Sequence, residues 1–264
     1  MRVLVTGAAS GFGAALAAIY AGRGDDVLLT DLPTMAPSPP AGQGGAVNYR
    51  KLDVREETDW SAARDWVDDQ WGGLDLLINN AGVASGGRID VLPVEDWEWI
   101  ISINLLGVVK GCRTFVPMLK AQRSGRIVNV ASMAGLVHPP NMGSYNVVKS
   151  GVVALSETLL HELAPYDVDV SVVCASFFRT NLHTSLRGSD PAMDGPAHRL
   201  ITGARHDAAT IAARTVKRID RGAYLVLPHR EGLLAYHAKR WVSPLYHRAM
   251  KRVGARMADK ATQG

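Results

Sequence analysis

The chain is poor in cysteine. Cys112 and Cys174, both in apolar surroundings, are too few for a disulfide scaffold and read as buried thiols in a reducing compartment. The eight histidines lack a His-Glu-x-x-His pattern, and no cysteine pair stands at ligand spacing, so no metal site is expected. Ser132 and His161 lack a Gly-x-Ser-x-Gly elbow, which argues against a hydrolase. No run approaches the roughly 18–20 apolar residues of a membrane span. The stretch 14–21 resembles a signal h-region, but Gly7, Gly11 and Gly13 interrupt the approach and Val3-Leu4-Val5 reads as a buried strand. A signal peptide is rejected and a cytoplasmic protein expected. Internal repeats, low-complexity tracts and a second domain are also missing.

Acidic residues are scarce at one end. From Pro228 to Gly264 there are eight Lys/Arg against Glu231 and Asp259, a net of +6 in a chain whose total is +4. The isoelectric point near 9.1 is therefore set by the tail. The rest is ordinary: 264 residues, 47% hydrophobic and 20% charged, a size that suits one α/β domain.

Strand and helix patterns alternate along the body. Strands are expected at 2–6, 26–31, 47–52, 74–78, 126–130, 169–174 and 223–227. Helices are expected to Arg23, over 55–71, over 94–122 as one long element, over 143–166 and over 207–221. The order implies a doubly wound parallel α/β sheet of Rossmann type with helices on both faces. The expected domain is 1–227, with a long irregular lid at 180–206. A basic extension of two helices, 228–264, follows.

Gly7-Ala8-Ala9-Ser10-Gly11-Phe12-Gly13 lies between the first strand and an Ala-rich helix. Glycines there let the backbone approach a pyrophosphate, and the helix N-terminus offers free N–H groups. Asp31 ends the second strand about 20 residues on, where a carboxylate binds the adenosine ribose of NAD. No basic residue stands at Ser10 or Leu32 to welcome a 2′-phosphate, so NAD is favoured over NADP. Tyr145 and Lys149 are four apart, on one face of a helix. A lysine ammonium there would lower the tyrosine pKa and make a general acid/base.

Thr6-Gly7-x-x-x-Gly11-x-Gly13, Asp53, Asn79-Asn80-Ala81-Gly82, Asn104, Ser132 and Tyr145-x-x-x-Lys149, in this order, resemble the simple, single-domain short-chain dehydrogenase/reductases over about residues 2–227. The resemblance implies a catalytic tetrad of Asn104, Ser132, Tyr145 and Lys149. It implies cofactor contacts at Gly7, Ser10, Gly11, Phe12, Gly13, Asp31 and Leu32, with Asp53 and Val54 at the adenine. Asn80, Ala81 and Gly82 would line the channel, Lys149 would hold the nicotinamide ribose, and Thr180 the carboxamide. Asn104 would hold a relay water. Two departures stand out. Ala175-Ser176 replaces the usual Pro-Gly turn under the nicotinamide. The basic tail replaces a short end and looks more like members that act on lipophilic substrates.

The expected reaction is NAD-linked interconversion of a secondary alcohol and a ketone. Met133, Leu136, Val137, Met142, Phe177 and Phe178 suggest apolar walls and a steroid-like, retinoid-like or long-chain substrate, unless they fill the core or a subunit contact. An NADPH-preferring reductase is the alternative; a non-catalytic dinucleotide sensor is disfavoured because all four tetrad residues are present. A homo-oligomer, dimer or tetramer, is expected. The tail reads as solvated or subunit-packing helices, or else as a peripheral membrane contact. No nucleic-acid motif accompanies its charge.

Overall fold

The computed structural model describes residues 1–33, 44–180, 182, 187, 190 and 202–261. Seven strands, β1 (Arg2–Thr6), β2 (Asp26–Asp31), β3 (Val47–Lys51), β4 (Leu76–Asn79), β5 (Arg126–Val130), β6 (Asp169–Val173) and β7 (Leu225–Val226), form one sheet. Their order is β3-β2-β1-β4-β5-β6-β7, and every paired neighbour is parallel. Parallel neighbours need crossovers, which the helices supply. The direction of winding reverses between β1 and β4, so the crevice beyond their carboxyl ends is the natural ligand site.

Side chains alternate across the strands and make two cores. Val3, Val5, Val27 and Leu29 pack with Phe12, Leu16 and Tyr20 of α1 (Gly11–Gly22) and with Ile211 and Val216 of α7 (Ala208–Ile219). Leu4, Leu28, Leu77 and Ile127 face the other way, onto Trp60 of α2 (Glu57–Trp71), Phe115 of α4 (Leu106–Gln122) and Val152 of α6 (Gly143–Leu163). The two-residue side-chain period of a strand produces both cores from one sheet. Gly72 ends α2 in the left-handed region, φ 62°, where glycine carries no Cβ penalty.

The long helix expected over 94–122 covers those residues with one interruption. It is broken at Leu105 into α3 (Val94–Asn104) and α4. The break serves Asn104, whose side chain leaves the helix surface to bond the backbone of Val83. Taken together, Val94–Gln122 is a 29-residue helical run that contains an 18-residue window of mean hydropathy 1.3, long and apolar enough by length and composition to cross a membrane. That corrects the expectation that no segment approaches such a length. Its Ile100, Val108, Phe115 and Leu119 are buried in the protein core. The sequence pattern also omits a short helix, α5 (Ala134–Val137), just after β5.

Most of the expected lid at 180–206 lies outside the described residues. The tail forms α8 (Arg230–Trp241) and α9 (Ser243–Ala261). Part of it packs on the body rather than standing free in solvent. Gly232 is buried against Met133, where an added Cβ would meet the sulfur at 3.0 Å. Lys239 Nζ donates to Leu136 O at 2.6 Å and to His138 Nδ1 at 2.7 Å, and Tyr246 OH donates to Val137 O.

Candidate active site

The β1–α1 turn is built for close approach. Gly7 has φ +64° and Gly11 φ +57°. A Cβ on Gly13 would sit 2.2 Å from Gly7 O and 2.5 Å from Asn80 Nδ2. Asn80 locks the turn by donating to Thr6 O at 2.8 Å and Gly7 O at 3.1 Å. Thr6 Oγ1 accepts from the N–H groups of Asn80 and Ala81 at 2.9 and 3.0 Å. These bonds tie β1 to the segment after β4 across the switch point. Ser10 begins α1 without a side-chain cap, and no acid occupies the first turn. The uncapped helix end is suited to an anion.

Asp31 closes the loop from the next strand. Its Oδ2 accepts from Ala9 N at 2.8 Å and its Oδ1 from Leu32 N at 2.8 Å. Each oxygen keeps lone-pair capacity for a sugar hydroxyl. Leu32 is 55% exposed and puts no positive charge there. The glycine cradle, the uncapped helix and the carboxylate fit a dinucleotide. Asp53 is at the same rim, but its carboxylate chelates Arg55 through contacts of 2.6–3.1 Å. The Arg55 guanidinium holds that carboxyl below its usual range. Val54 packs inward against Gly107, and Trp60 Nε1 donates to its carbonyl at 3.1 Å. Phe12 points into the core and stacks edge-on with Phe178 at 5.2 Å. Phe178 is thus packed in part against the core.

The four residues expected to form the tetrad sit along the rim from the cradle. Ser132 follows β5; its hydroxyl accepts from Ala134 N at 3.2 Å and lies 3.5 Å from Ala175 O. Tyr145, on the first turn of α6, is 9% exposed, and its hydroxyl lies near the Ser132 side chain. One turn later Lys149 is buried, donates to Val130 O at 3.0 Å, and holds Nζ 5.8 Å from the Tyr145 ring centre. Asn104 is fully buried. Its Oδ1 accepts from Val83 N at 2.8 Å and its Nδ2 donates to Val83 O at 2.9 Å. Asn104 Oδ1 and Lys149 Nζ approach the same side of Gly82, where a Cβ would meet them at 3.0 and 3.6 Å.

The electrostatics correct one expectation. In the protein alone the lysine does not depress the tyrosine. Burial pushes the Tyr145 hydroxyl up to about 12, partly offset by the Ser132 hydrogen bond. Burial pushes the Lys149 ammonium down to about 8, with Cys174 beside it acting the other way. Desolvation disfavours each charged form before a partner charge arrives.

Elsewhere on the rim only Ala175-Ser176 and Thr180 gave a sequence signal. The Ala175–Ser176 turn needs no left-handed residue, since Ser176 is not among the positive-φ positions. The N–H of Ser176 donates to His229 Nδ1 at 3.2 Å, and Ala175 O accepts from Met133 N at 2.9 Å. His229 is buried, and burial lowers its pKa. Thr180 Oγ1 accepts from Leu182 N at 3.2 Å at the start of the lid. Two ion pairs reach the lid from the segment before and within α3: Arg88 with the fully buried Asp190 at 2.9 Å, and Arg187 with Asp96 at 3.1 Å. Both bring together residues about a hundred apart in sequence or close to it, which no local motif encodes. His138 turns to Ser150 Oγ at 3.0 Å and to Lys239, as a loop histidine rather than a substrate ligand.

Comparison with known proteins agrees with the fold. Residues 1–190 match the family model of the short chain dehydrogenases. The chain is 34% identical over 252 residues to a CLA biosynthesis dehydrogenase/reductase of Lactiplantibacillus plantarum, covering 87% of this chain and 88% of that one. A short chain dehydrogenase/reductase from Burkholderia phymatum, solved in complex with NAD, superposes with a TM-score of 0.83 at 29% identity, covering 92% and 94% of the two chains. A short-chain dehydrogenase from Sphingobium yanoikuyae, solved with NADPH, superposes with a TM-score of 0.75 at 25% identity, covering 94% and 93%. Neighbours of both cofactor types thus share the fold, and the protein described here, with its glycine cradle and its Ser132, Tyr145 and Lys149 on one rim, belongs to the short-chain dehydrogenase/reductase family of oxidoreductases.

Proposed function

We propose that the enzyme interconverts a hydrophobic secondary alcohol and its ketone with NAD(H), Tyr145 acting as general acid/base. The observation that carries this reading is the Tyr145 hydroxyl beside the Ser132 side chain, with Lys149 one turn behind, on the rim that holds the glycine cradle. When bound, the nicotinamide supplies the hydride acceptor or donor and, in its oxidised form, a positive charge. In oxidation Tyr145 takes the proton of the substrate hydroxyl. Ser132 donates to the substrate oxygen, orients it and offsets charge that develops there. Lys149 would hold the nicotinamide ribose, and its ammonium, assisted by the positive nicotinamide, would favour the Tyr145 phenolate by charge attraction. Asn104 fixes the backbone of Val83 behind the lysine, and with it the Gly82 side of the channel. Thr180 would hold the carboxamide, and Asp53 with the Val54 backbone the adenine edge.

Asp31 supports NAD, because its carboxylate at the ribose position repels a 2′-phosphate and Leu32 offers nothing to hold one. One observation favours the NADPH alternative: Lys51 of β3 is in register with Asp31, on the adjacent strand. Titration with NADH and NADPH decides between them, and tighter NADPH would overturn the NAD reading. The apolar Leu136, Val137 and Met142, half-buried between Ser132 and Tyr145, support a hydrophobic substrate. Met133 supports it less, being packed under α8. NAD-linked turnover across steroids, retinoids, long-chain alcohols and sugars is the test. Turnover confined to sugars would contradict the substrate class. A homo-oligomer is part of the same reading, supported by Leu106 and Val147, which expose 43% and 52% of their surface on α4 and α6. So is a reducing, cytoplasmic setting, which suits the two free buried thiols.

A further inference from the structure

The outer face of the tail is apolar and cationic together. Leu234 and Trp241 are seven apart on α8, hence on one side of the helix, and expose 71% and 75% of their surface. Leu245, on the first turn of α9, exposes 65%. Arg240 lies against the Trp241 ring at 5.7 Å. Arg248 and Arg252 follow on α9, both exposed, and form no ion pair among the described residues. The inner sides of the same helices are used differently, Gly232, Lys239 and Tyr246 being docked on Met133, Leu136 and Val137. Docking therefore fixes which side faces outward, and that side carries three exposed large apolar residues.

We infer that this face, Leu234, Trp241 and Leu245 flanked by Arg240, Arg248 and Arg252, is a docking surface for an anionic lipid bilayer. An apolar ridge with basic flanks lies in a headgroup layer, apolar side chains inserted and arginines on lipid phosphates. Tryptophan suits that depth, with its apolar body and its N–H donor. Charge decides between a bilayer and a second copy of the chain. A two-fold contact sets one patch against itself. Here it would bring together two segments that each carry a net charge of +6. An anionic surface relieves that charge instead. The docked inner side covers α5, which lies between Ser132 and Tyr145, so the ridge flanks the substrate-side loop. A path for a lipophilic substrate from bilayer to Tyr145 follows, and that last step rests on the hydrophobic-substrate reading above.

The full chain should be sedimented with vesicles of phosphatidylcholine alone and of phosphatidylcholine mixed with phosphatidylglycerol. The expected result is binding to the mixed vesicles at least about tenfold above that to phosphatidylcholine, weakened by raised salt. Trp241→Ser with Leu245→Ser should abolish it, and Arg248→Gln with Arg252→Gln should remove its preference for phosphatidylglycerol. Circular dichroism confirms that the variants are folded. No binding by the parent protein, or equal binding by the Trp241→Ser/Leu245→Ser variant, overturns the inference. So does a fall in mass by light scattering in that variant, which would assign the ridge to a second copy. The vesicle assay uses no substrate. A failure of turnover with hydrophobic ketones would sink the substrate reading and leave the vesicle result standing.

Discussion

At the scale of single residues the Tyr145–Lys149 pair carries the chemistry of the proposed reaction, and burial shifts both of its groups. A spacing of four made the shared face legible in the sequence. The direction of the pKa shifts was not, because desolvation comes from α3, β5 and β6 packing around the pair and no local pattern encodes it. Keeping Lys149 charged in this site has a cost. The folded pKa of about 8 lies below the ordinary 10.5, a difference that corresponds to roughly 3 kcal/mol at neutral pH. Between those values the folded protein binds fewer protons than the unfolded chain. Stability contributed by this group therefore rises with pH from about 8 to 10.5, and below 8 the full cost applies. Lys149→Met should lose activity yet resist urea better than the parent at pH 7, by up to roughly 3 kcal/mol, the gain shrinking as pH approaches 10. Equilibrium unfolding at both pH values checks this; a gain that does not depend on pH would contradict it.

At the scale of elements the site depends on how closely β1, α1 and the segment after β4 approach. Gly13 has no room for a methyl group, a Cβ there lying 2.2 Å from Gly7 O, whereas a Cβ on Gly22 of the same helix meets nothing within 4 Å. Gly13→Ala should cost about 1–3 kcal/mol and weaken NADH binding more than tenfold. Gly22→Ala should leave NADH binding unchanged and gain about 0.5–1 kcal/mol. NADH fluorescence titration and thermal unfolding of the two variants read this out, and equal effects would show that the turn is not tight. The strands of the sheet were legible because their apolar runs are short and bounded, as in Val3-Leu4-Val5. The last one shrank from the expected 223–227 to Leu225–Val226, at the sheet edge with a neighbour on one side only. The break at Leu105 was not legible. Its reason is a hydrogen-bond pair from Asn104 to Val83, 21 residues away.

At the scale of the whole molecule the tail is the part that the sequence described least well. Its charge and helices were evident, but not which side it docks. The structure attaches it to the loop between Ser132 and Tyr145 through Lys239 and Tyr246. His138 completes the clamp: Lys239 donates to its Nδ1, so Nε2 carries the proton toward Ser150 Oγ, next to Lys149. A tail added after the last strand thus becomes a support of the substrate side. Lys239→Met should raise the KM for a ketone substrate about tenfold and leave the Kd for NADH unchanged, since a part-buried charged hydrogen bond to the loop is lost and the cradle is untouched. Steady-state kinetics beside NADH titration separate the two. A change in the cofactor Kd alone would show that the clamp acts elsewhere.

The most direct measurement is the turnover of Tyr145→Phe with NAD and the best alcohol of the panel. Phenylalanine keeps the ring in its buried seat and removes the hydroxyl that meets Ser132. The account predicts a loss of kcat of about 10²–10⁴-fold with NADH binding retained. A kcat within a few-fold of the parent enzyme would contradict the assignment of Tyr145 as the acid/base.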